Sequence, residues 1–146
     1  MSSSHIEPLT LSGHPDHMGD SLSKLRKYVT EVSNIAGLES QAMHRLRLAV
    51  DEIAANIIMY GYAGTESPGV INVLTTVVDG QLTLVLEDTG VPYDPRQRDL
   101  PDNFDDPLET REIGGLGVFL AFENVDKFDY QRVGNCNRNI FVMNCP

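Results

Sequence analysis

The feature that most limits the folds open to this chain is a change of period near residue 69. Upstream, apolar residues recur at helical spacing. Met18, Leu22, Leu25, Val29 and Val32 follow alternating steps of four and three, predicting an amphipathic helix over about 16–36 with a narrow apolar seam. Gly37 is a good stop for it. A second helix is expected from Glu39 or Ser40 to Tyr60, with Gly61 ending it. Its apolar positions Leu46, Leu48, Val50, Ile53, Ile57 and Ile58 cover most of the circumference. From Gly69 the period becomes two: Ile71, Val73, Thr75 and Val77, then Asp79-Gly80, then Leu82, Leu84 and Leu86. Asp-Gly between two alternating runs is the strongest short-range signal for a β-hairpin.

Beyond the hairpin, Glu87 to Ile113 has little periodicity and holds Pro92, Pro95, Pro101 and Pro107. An aperiodic stretch this long is unusual inside a compact domain and is often an active-site lid, here assigned to 92–113. A third helix is expected to open in Gly114-Gly115-Leu116-Gly117. Two strands follow, about 125–133 and 137–144, joined at Gly134-Asn135. Residues 1–15 form a short leading strand, Ile6 to Leu11, or remain loose. The order helix, helix, hairpin, lid, helix, hairpin predicts an α+β fold. Its form is a two-layer α/β sandwich, with helices on one face of a mixed, mostly antiparallel sheet. A chain of 146 residues has room for one core, so the expectation is a single domain over 1–146.

Composition removes several functions. There are 21 acidic residues against 11 basic ones, a net charge of −10. No basic footprint for direct nucleic-acid binding and no polybasic membrane patch is present. No apolar run reaches the ~18–20 residues of a membrane span, and the N-terminus lacks a secretory pattern. Cys136 and Cys145 match no common zinc or redox spacing, so two reduced thiols in a cytoplasmic protein are expected. A polyanionic ligand such as a nucleotide would need backbone N–H groups, a metal or a few placed cations.

Three sequence elements carry chemistry. Glu52 and Asn56 lie one turn apart on one helix face, amid apolar neighbours. A carboxylate there needs compensation, and an amide oxygen can ligate a hard cation. Taken alone, a partly exposed polar stripe explains this pair equally well. The second element is Asp88-Thr89-Gly90, an acid at a strand tip before a glycine turn. An ionised carboxylate accepts hydrogen bonds only and suits the exocyclic amine of a purine, although turn chemistry alone also selects these residues. The third is Arg111 followed by Gly114-Gly115-Leu116-Gly117. Glycines opening a helix bring N–H groups and positive dipole to phosphate, and Arg111 can add a bidentate contact. Such glycines also serve ordinary turns.

In this order, the three elements resemble the GHKL (Bergerat-fold) ATPases. Glu52-x-x-x-Asn56 is similar to their N-box, Asp88-x-Gly90 to their first glycine box, and Gly115-x-Gly117 to their second. The subgroup most resembled is the anti-sigma-factor serine-protein kinases of RsbW and SpoIIAB type. Asn56 through Tyr62, Val91-Pro92-Tyr93-Asp94-Pro95 and Gly114 through Leu120 carry that likeness, as do Val125 through Tyr130 and Asn137-Arg138-Asn139-Ile140. It covers about 16–144. The resemblance implies ATP and Mg2+ as cofactors. Asn56 would be the metal ligand, Glu52 the general base toward a protein serine hydroxyl, and Asp88 the partner of the adenine amine. Gly90 would admit the base. Gly114, Gly115, Leu116 and Gly117 would bring backbone groups to the phosphates, with Arg111 closing from the lid. The implied partners are a STAS-domain anti-anti-sigma protein and a sigma factor, with the first-helix seam as a candidate homodimer or partner contact. Tyr60 stands where many relatives have His, and Asn137 and Asn139 where the superfamily often has a Gly-Thr pair. Two alternatives stand beside the kinase: a nucleotide-binding switch that sequesters a partner without turnover, and a detached sensor-kinase catalytic domain. The latter is disfavoured because 146 residues leave no room for a phosphoacceptor hairpin.

Overall fold

A computed structural model describes residues 6–62, 69–97 and 121–146 of the chain. Strand β1 (Leu9–Ser12) leads through a 3-10 turn, Pro15–His17, into helix α1 (Met18–Ala36). Gly37 ends α1 in the left-handed region at φ 74. Its N–H bonds Asn34 O, and the Leu38 N–H reaches Ser33 O, which satisfies the last carbonyls in a Schellman arrangement. The α1 seam faces inward. Leu25, Val29 and Val32 are buried in the core, and Met18 and Leu22 pack against its edge. That seam belongs to the protein's own sandwich, which removes it as a coiled-coil homodimer contact.

Helix α2 (Ser40–Asn56) buries Leu46, Ala49, Val50, Ile53 and Ala54. Leu48, expected to help cover the circumference, is instead 46% exposed. A single α-helix to Tyr60 was also expected. The α geometry stops at Asn56, and Ile57–Gly61 forms a π-helical turn. Such turns insert a residue, rotate the following side chains and are frequent at functional sites.

Strands β2 (Val70–Val78) and β3 (Gln81–Asp88) form the expected hairpin. Asp79 and Gly80 both have positive φ, 52 and 79, as a type I′ turn requires. Strands β4 (Lys127–Val133) and β5 (Cys136–Asn144) form the second hairpin around Gly134-Asn135. Only Gly134 of that pair has positive φ, as in a type II′ turn. The sheet order is β1-β2-β3-β5-β4, and each of these pairings is antiparallel, so the mixed pairing expected from sequence is absent among the described residues. Residues 121–123 are helical. The expected opening of the third helix at Gly114 to Gly117 lies outside the described residues.

Alternation sorts each strand into two faces. The inward rows Ile71, Val73 and Thr75 of β2, Leu82, Leu84 and Leu86 of β3, and Phe141 and Met143 of β5 are buried, all but Thr75 in the apolar core beneath the helices. The Tyr28 hydroxyl donates to Thr75 Oγ1 at 2.9 Å, so this polar pair crosses the helix–sheet interface without an unsatisfied group. The architecture is the expected α+β two-layer sandwich.

Candidate functional site

The inward row of β3 ends in Asp88, and that of β5 begins in Asn137, directly opposite it. Here the sheet interior becomes polar. A cleft of about 380 Å³ opens at this end, between the sheet and the α2 C-terminus. Ile53 and Ile57 form one apolar wall, and Val91, Pro92 and Tyr93 the other. Asp88, Asn137, Asn139 and Asn56 supply its polar groups. Mostly apolar walls with a few convergent polar groups are usual for a small-molecule site.

Asp88 is 4% exposed. Its Oδ1 accepts from the Gly90 N–H at 2.9 Å and from Asn137 Nδ2 at 3.0 Å. Both bonds use the same oxygen, leaving Oδ2 without a hydrogen-bond partner among the described residues. Burial pushes the Asp88 pKa upward, against the lowering effects of Asn137, the Gly90 N–H and the Arg132 charge. The site therefore holds a carboxylate that is desolvated, fixed through one oxygen and open through the other.

Asn137 is the residue that sequence reasoning undervalued. Its Nδ2 also donates to Val91 O at 3.0 Å and Gly90 O at 3.3 Å. Its Oδ1 accepts from Arg132 Nη1 at 3.1 Å and from the Tyr130 hydroxyl. Arg132 Nη1 also donates to Gly90 O at 3.1 Å. One amide thus ties the Asp-x-Gly turn to the β4–β5 hairpin. Its type departs from the family pattern at this position, and only the register opposite Asp88 gives that departure a meaning.

Gly90 has a geometric reason of its own. A Cβ there would lie 2.3 Å from the Gly61 carbonyl oxygen. The next N–H, of Val91, donates to that same Gly61 O at 2.9 Å. The glycine lets the turn after β3 dock on the π-turn after α2, beside the cleft. Tyr62 braces the same junction: its hydroxyl donates to Val70 O at 2.8 Å and accepts from the Thr89 N–H at 3.0 Å.

On the helix wall, Asn56 is 8% exposed, lines the cleft, and has an unpartnered Nδ2. Glu52, one turn earlier, is half-buried and is not part of the cleft lining. Burial raises its pKa, and the neighbouring Asp51 charge raises it further. Asp51 itself faces away, accepting from Arg26 Nη2 at 2.7 Å and Nε at 2.9 Å. Tyr60 stands at the mouth, half exposed. The start of the expected lid is held down: Arg96 pairs with Asp94 at 2.9 Å and with Asp129 of β4 at 3.0 Å. Arg111, Gly114, Gly115, Leu116 and Gly117, and the lid from 98 onward, lie outside the described residues.

Among the described residues, no group of three or more His, Cys, Asp or Glu side chains could hold a metal ion. A cation here would take one protein amide, Asn56, and complete its shell from a ligand and water, as Mg2+ does on phosphates. Of that amide the orphaned buried atom is Nδ2, a donor; the ligand to a cation would be Oδ1, which is not among the buried unpartnered atoms. No described helix is long and apolar enough to cross a membrane.

Over 115 residues the chain is 29% identical to the serine-protein kinase RsbW of Listeria monocytogenes, covering 77% of this chain and 70% of that one. It is 24% identical over 110 residues to RsbW of Bacillus licheniformis, covering 73% and 68%. Among solved structures it resembles the RsbU and RsbW domains of Rv1364c from Mycobacterium tuberculosis (TM-score 0.58, 16% identity, 97% of this chain and 33% of that one). It also resembles the histidine kinase domain of the blue-light activated kinase of Erythrobacter litoralis EL346 (TM-score 0.52, 19% identity, 88% and 61%). The chain thus spans less than two thirds of either solved structure, and these likenesses concern the fold. Residues 18–143 match the family described as the histidine kinase-like ATPase domain, and the chain belongs to that family.

Proposed function

We propose that this protein is an ATP-dependent serine-protein kinase and anti-sigma regulatory factor of a partner-switching module. Its substrate is a serine hydroxyl of a STAS-domain antagonist, and its second partner is a sigma factor. The observation that carries the nucleotide reading is Asp88: a buried carboxylate with one oxygen saturated and the other open, at the polar end of an apolar cleft. That is an acceptor built for an amine on a flat apolar ring. The kinase reading adds the RsbW relatives, which are named serine-protein kinases.

Within this reading each residue has a task. Asp88 accepts from the adenine amine, and Ile53, Ile57 and Val91 enclose the ring. The Asn56 amide oxygen ligates Mg2+. When bound, that ion neutralises charge on the phosphates, where positioning and electrostatics carry most of phosphoryl transfer. Glu52, whose pKa is raised by burial, is the base that takes the serine proton. Gly115 and Gly117, with Gly114, Leu116 and Arg111, hold the phosphates.

Incubation with Mg2+, labelled ATP and a STAS-domain protein tests this. Glu52→Gln should keep nucleotide affinity and lower transfer by about 10²–10⁴-fold, the usual contribution of a general base. Nucleotide binding with no label on the STAS protein would sink the kinase and leave the nucleotide-gated switch. The position of Glu52 outside the cleft lining is what keeps that second reading alive.

A further inference from the structure

One wall of the cleft is a strap, Val91 to Arg96, that follows the Asp-x-Gly turn and lines the cleft with Val91, Pro92, Tyr93 and Pro95. It belongs to no strand, and Val91, Pro92 and Tyr93 are exposed, so neither a ladder nor apolar burial holds most of it. Its first end is tied at Val91, whose N–H donates to Gly61 O at 2.9 Å and whose carbonyl accepts from Asn137 Nδ2 at 3.0 Å. Its far end is tied through Arg96. The Asp94 carboxylate accepts from the Arg96 N–H at 2.9 Å, which closes the turn. The guanidinium folds back onto the same carboxylate, Nη2 to Oδ2 at 2.9 Å and Nε to Oδ1 at 3.1 Å. The remaining nitrogen, Nη1, donates to Asp129 Oδ1 of β4 at 3.0 Å. Asp129 Oδ1 also accepts from the Tyr130 N–H at 2.8 Å, which fixes that carboxylate on its own strand. Burial would raise the Asp94 pKa, yet the Arg96 side chain, N–H and charge hold it below its ordinary value.

We propose that Arg96 is a positioning residue for the nucleotide: by joining Asp94 to Asp129 it pins the strap to the edge strand β4 and holds the apolar wall of the cleft in its binding position. This rests on the nucleotide reading given above and deepens it. Neither Arg96 nor Asp129 lines the cleft, so the pair acts through Tyr93 and Pro95, the residues on either side of Asp94. A lone exposed ion pair is worth little. This one differs because its fork serves two carboxylates, one of them, Asp94, with a side chain only 13% exposed. Without the cation, two acids would face each other between strap and strand, in a chain that already carries −10, and attraction would become repulsion. A lysine cannot reproduce the arrangement, since an ammonium is a point charge without the planar fork. A wall already in place spares the ligand the cost of ordering it, which is how a residue without ligand contact governs affinity.

The test measures ADP affinity by calorimetry on the full chain and on its Arg96→Gln, Arg96→Lys and Asp129→Ala variants and the Arg96→Gln/Asp129→Ala double variant, with thermal melts without nucleotide. Arg96→Gln should lose about tenfold in ADP affinity, as for charge-assisted hydrogen bonds. Asp129→Ala should lose a similar amount although it lies outside the cleft, and the double variant should lose no more than the larger single loss. Arg96→Lys should recover only part of the affinity. Melting temperatures should stay near the parent's, because most of the strap lies outside the core. A merely structural pair would show the reverse split, a lower melting temperature with ADP affinity unchanged. Should Arg96→Gln not fold, Asp129→Ala carries the comparison. A loss in Arg96→Gln with none in Asp129→Ala would make Arg96 a direct ligand contact and overturn the positioning role. Losses that add in the double variant, or unchanged affinity in both single variants, overturn it while the nucleotide reading stands. A parent that binds no ADP overturns both.

Discussion

One ladder, β3 against β5, contains two different proteins along its length. At one end the inward pairs are Leu82 with Met143 and Leu84 with Phe141. At the other they are Leu86 with Asn139 and Asp88 with Asn137. The four pairs share strands, face and burial: of the eight residues, none is more than 4% exposed. What differs is whether the protein satisfies them by itself. The apolar pairs need only each other and the helices above. The polar pairs leave Asp88 Oδ2 without a hydrogen bond among the described residues and Asn139 Oδ1 buried without a partner. Apolar packing is concentrated at one end of the ladder, and the proposed binding site lies at the other.

Substitutions along the ladder can break this contrast. The largest stability effect is expected for Phe141→Ala, about 3–5 kcal/mol by denaturant titration, with nucleotide affinity of the folded fraction little changed. An equally large loss of affinity would mean that the two ends are not separable. Gly90→Ala comes next. Its Cβ would meet Gly61 O at 2.3 Å, an overpacking cost near about 3 kcal/mol. It moves Asp88, so affinity should fall with stability, and a variant with parental melting and binding would refute the docking role. Asn137→Ala should cost about 1–3 kcal/mol, since it leaves the Tyr130 hydroxyl, the Arg132 guanidinium and the Asp88 carboxylate short of a partner. Its affinity loss should be the larger part of its phenotype.

Asp88→Asn should have the smallest stability effect, and of opposite sign. The amide oxygen can keep the bonds to Gly90 and Asn137, while a desolvated charge is removed. Burial raises the folded-state pKa of Asp88 above its ordinary value of 3.8. Between those two values the folded state holds more protons than the unfolded one, so this group's contribution to stability falls as pH rises through the window. Above the folded pKa the penalty is constant. The stability of Asp88→Asn relative to the parent should therefore grow from about pH 4 upward and then level off. A variant that melts lower than the parent at neutral pH would show that the carboxylate serves the fold. Its adenine-nucleotide affinity should fall sharply even as it melts higher.

Much of the fold was legible because its signals are local. The α1 seam, Gly37, the Asp79-Gly80 turn and the alternation of β2 and β3 each declare themselves within a few residues. The errors lie where neighbours in space decide. Leu48 is as apolar as Leu46 but faces solvent, because helix rotation is set by the sheet beneath. The α-to-π change after Asn56 has no local signature: it is tied to Gly61 O accepting from Val91, which lies 30 residues further along. The site was half legible in the same sense. Glu52, Asn56, Asp88 and Gly90 stood out by type and spacing but received roles only from the family resemblance, and Asn56 and Asp88 line one cleft. Asn137 and Asn139 were visible only as departures from a pattern.

The sequence by itself determined the element order, the turns and the chemical types at the site, since period, turn conformation and side-chain chemistry are properties of short segments. Only the tertiary structure decided which polar groups are satisfied. It set Asn137 against Asp88 through strand register, closed Gly90 onto Gly61, and left Asn139 and Asn56 beside the cleft, each with one buried atom unmatched. A hydrogen bond depends on a few tenths of an ångström between residues distant in the chain, and no pattern along one strand carries that information.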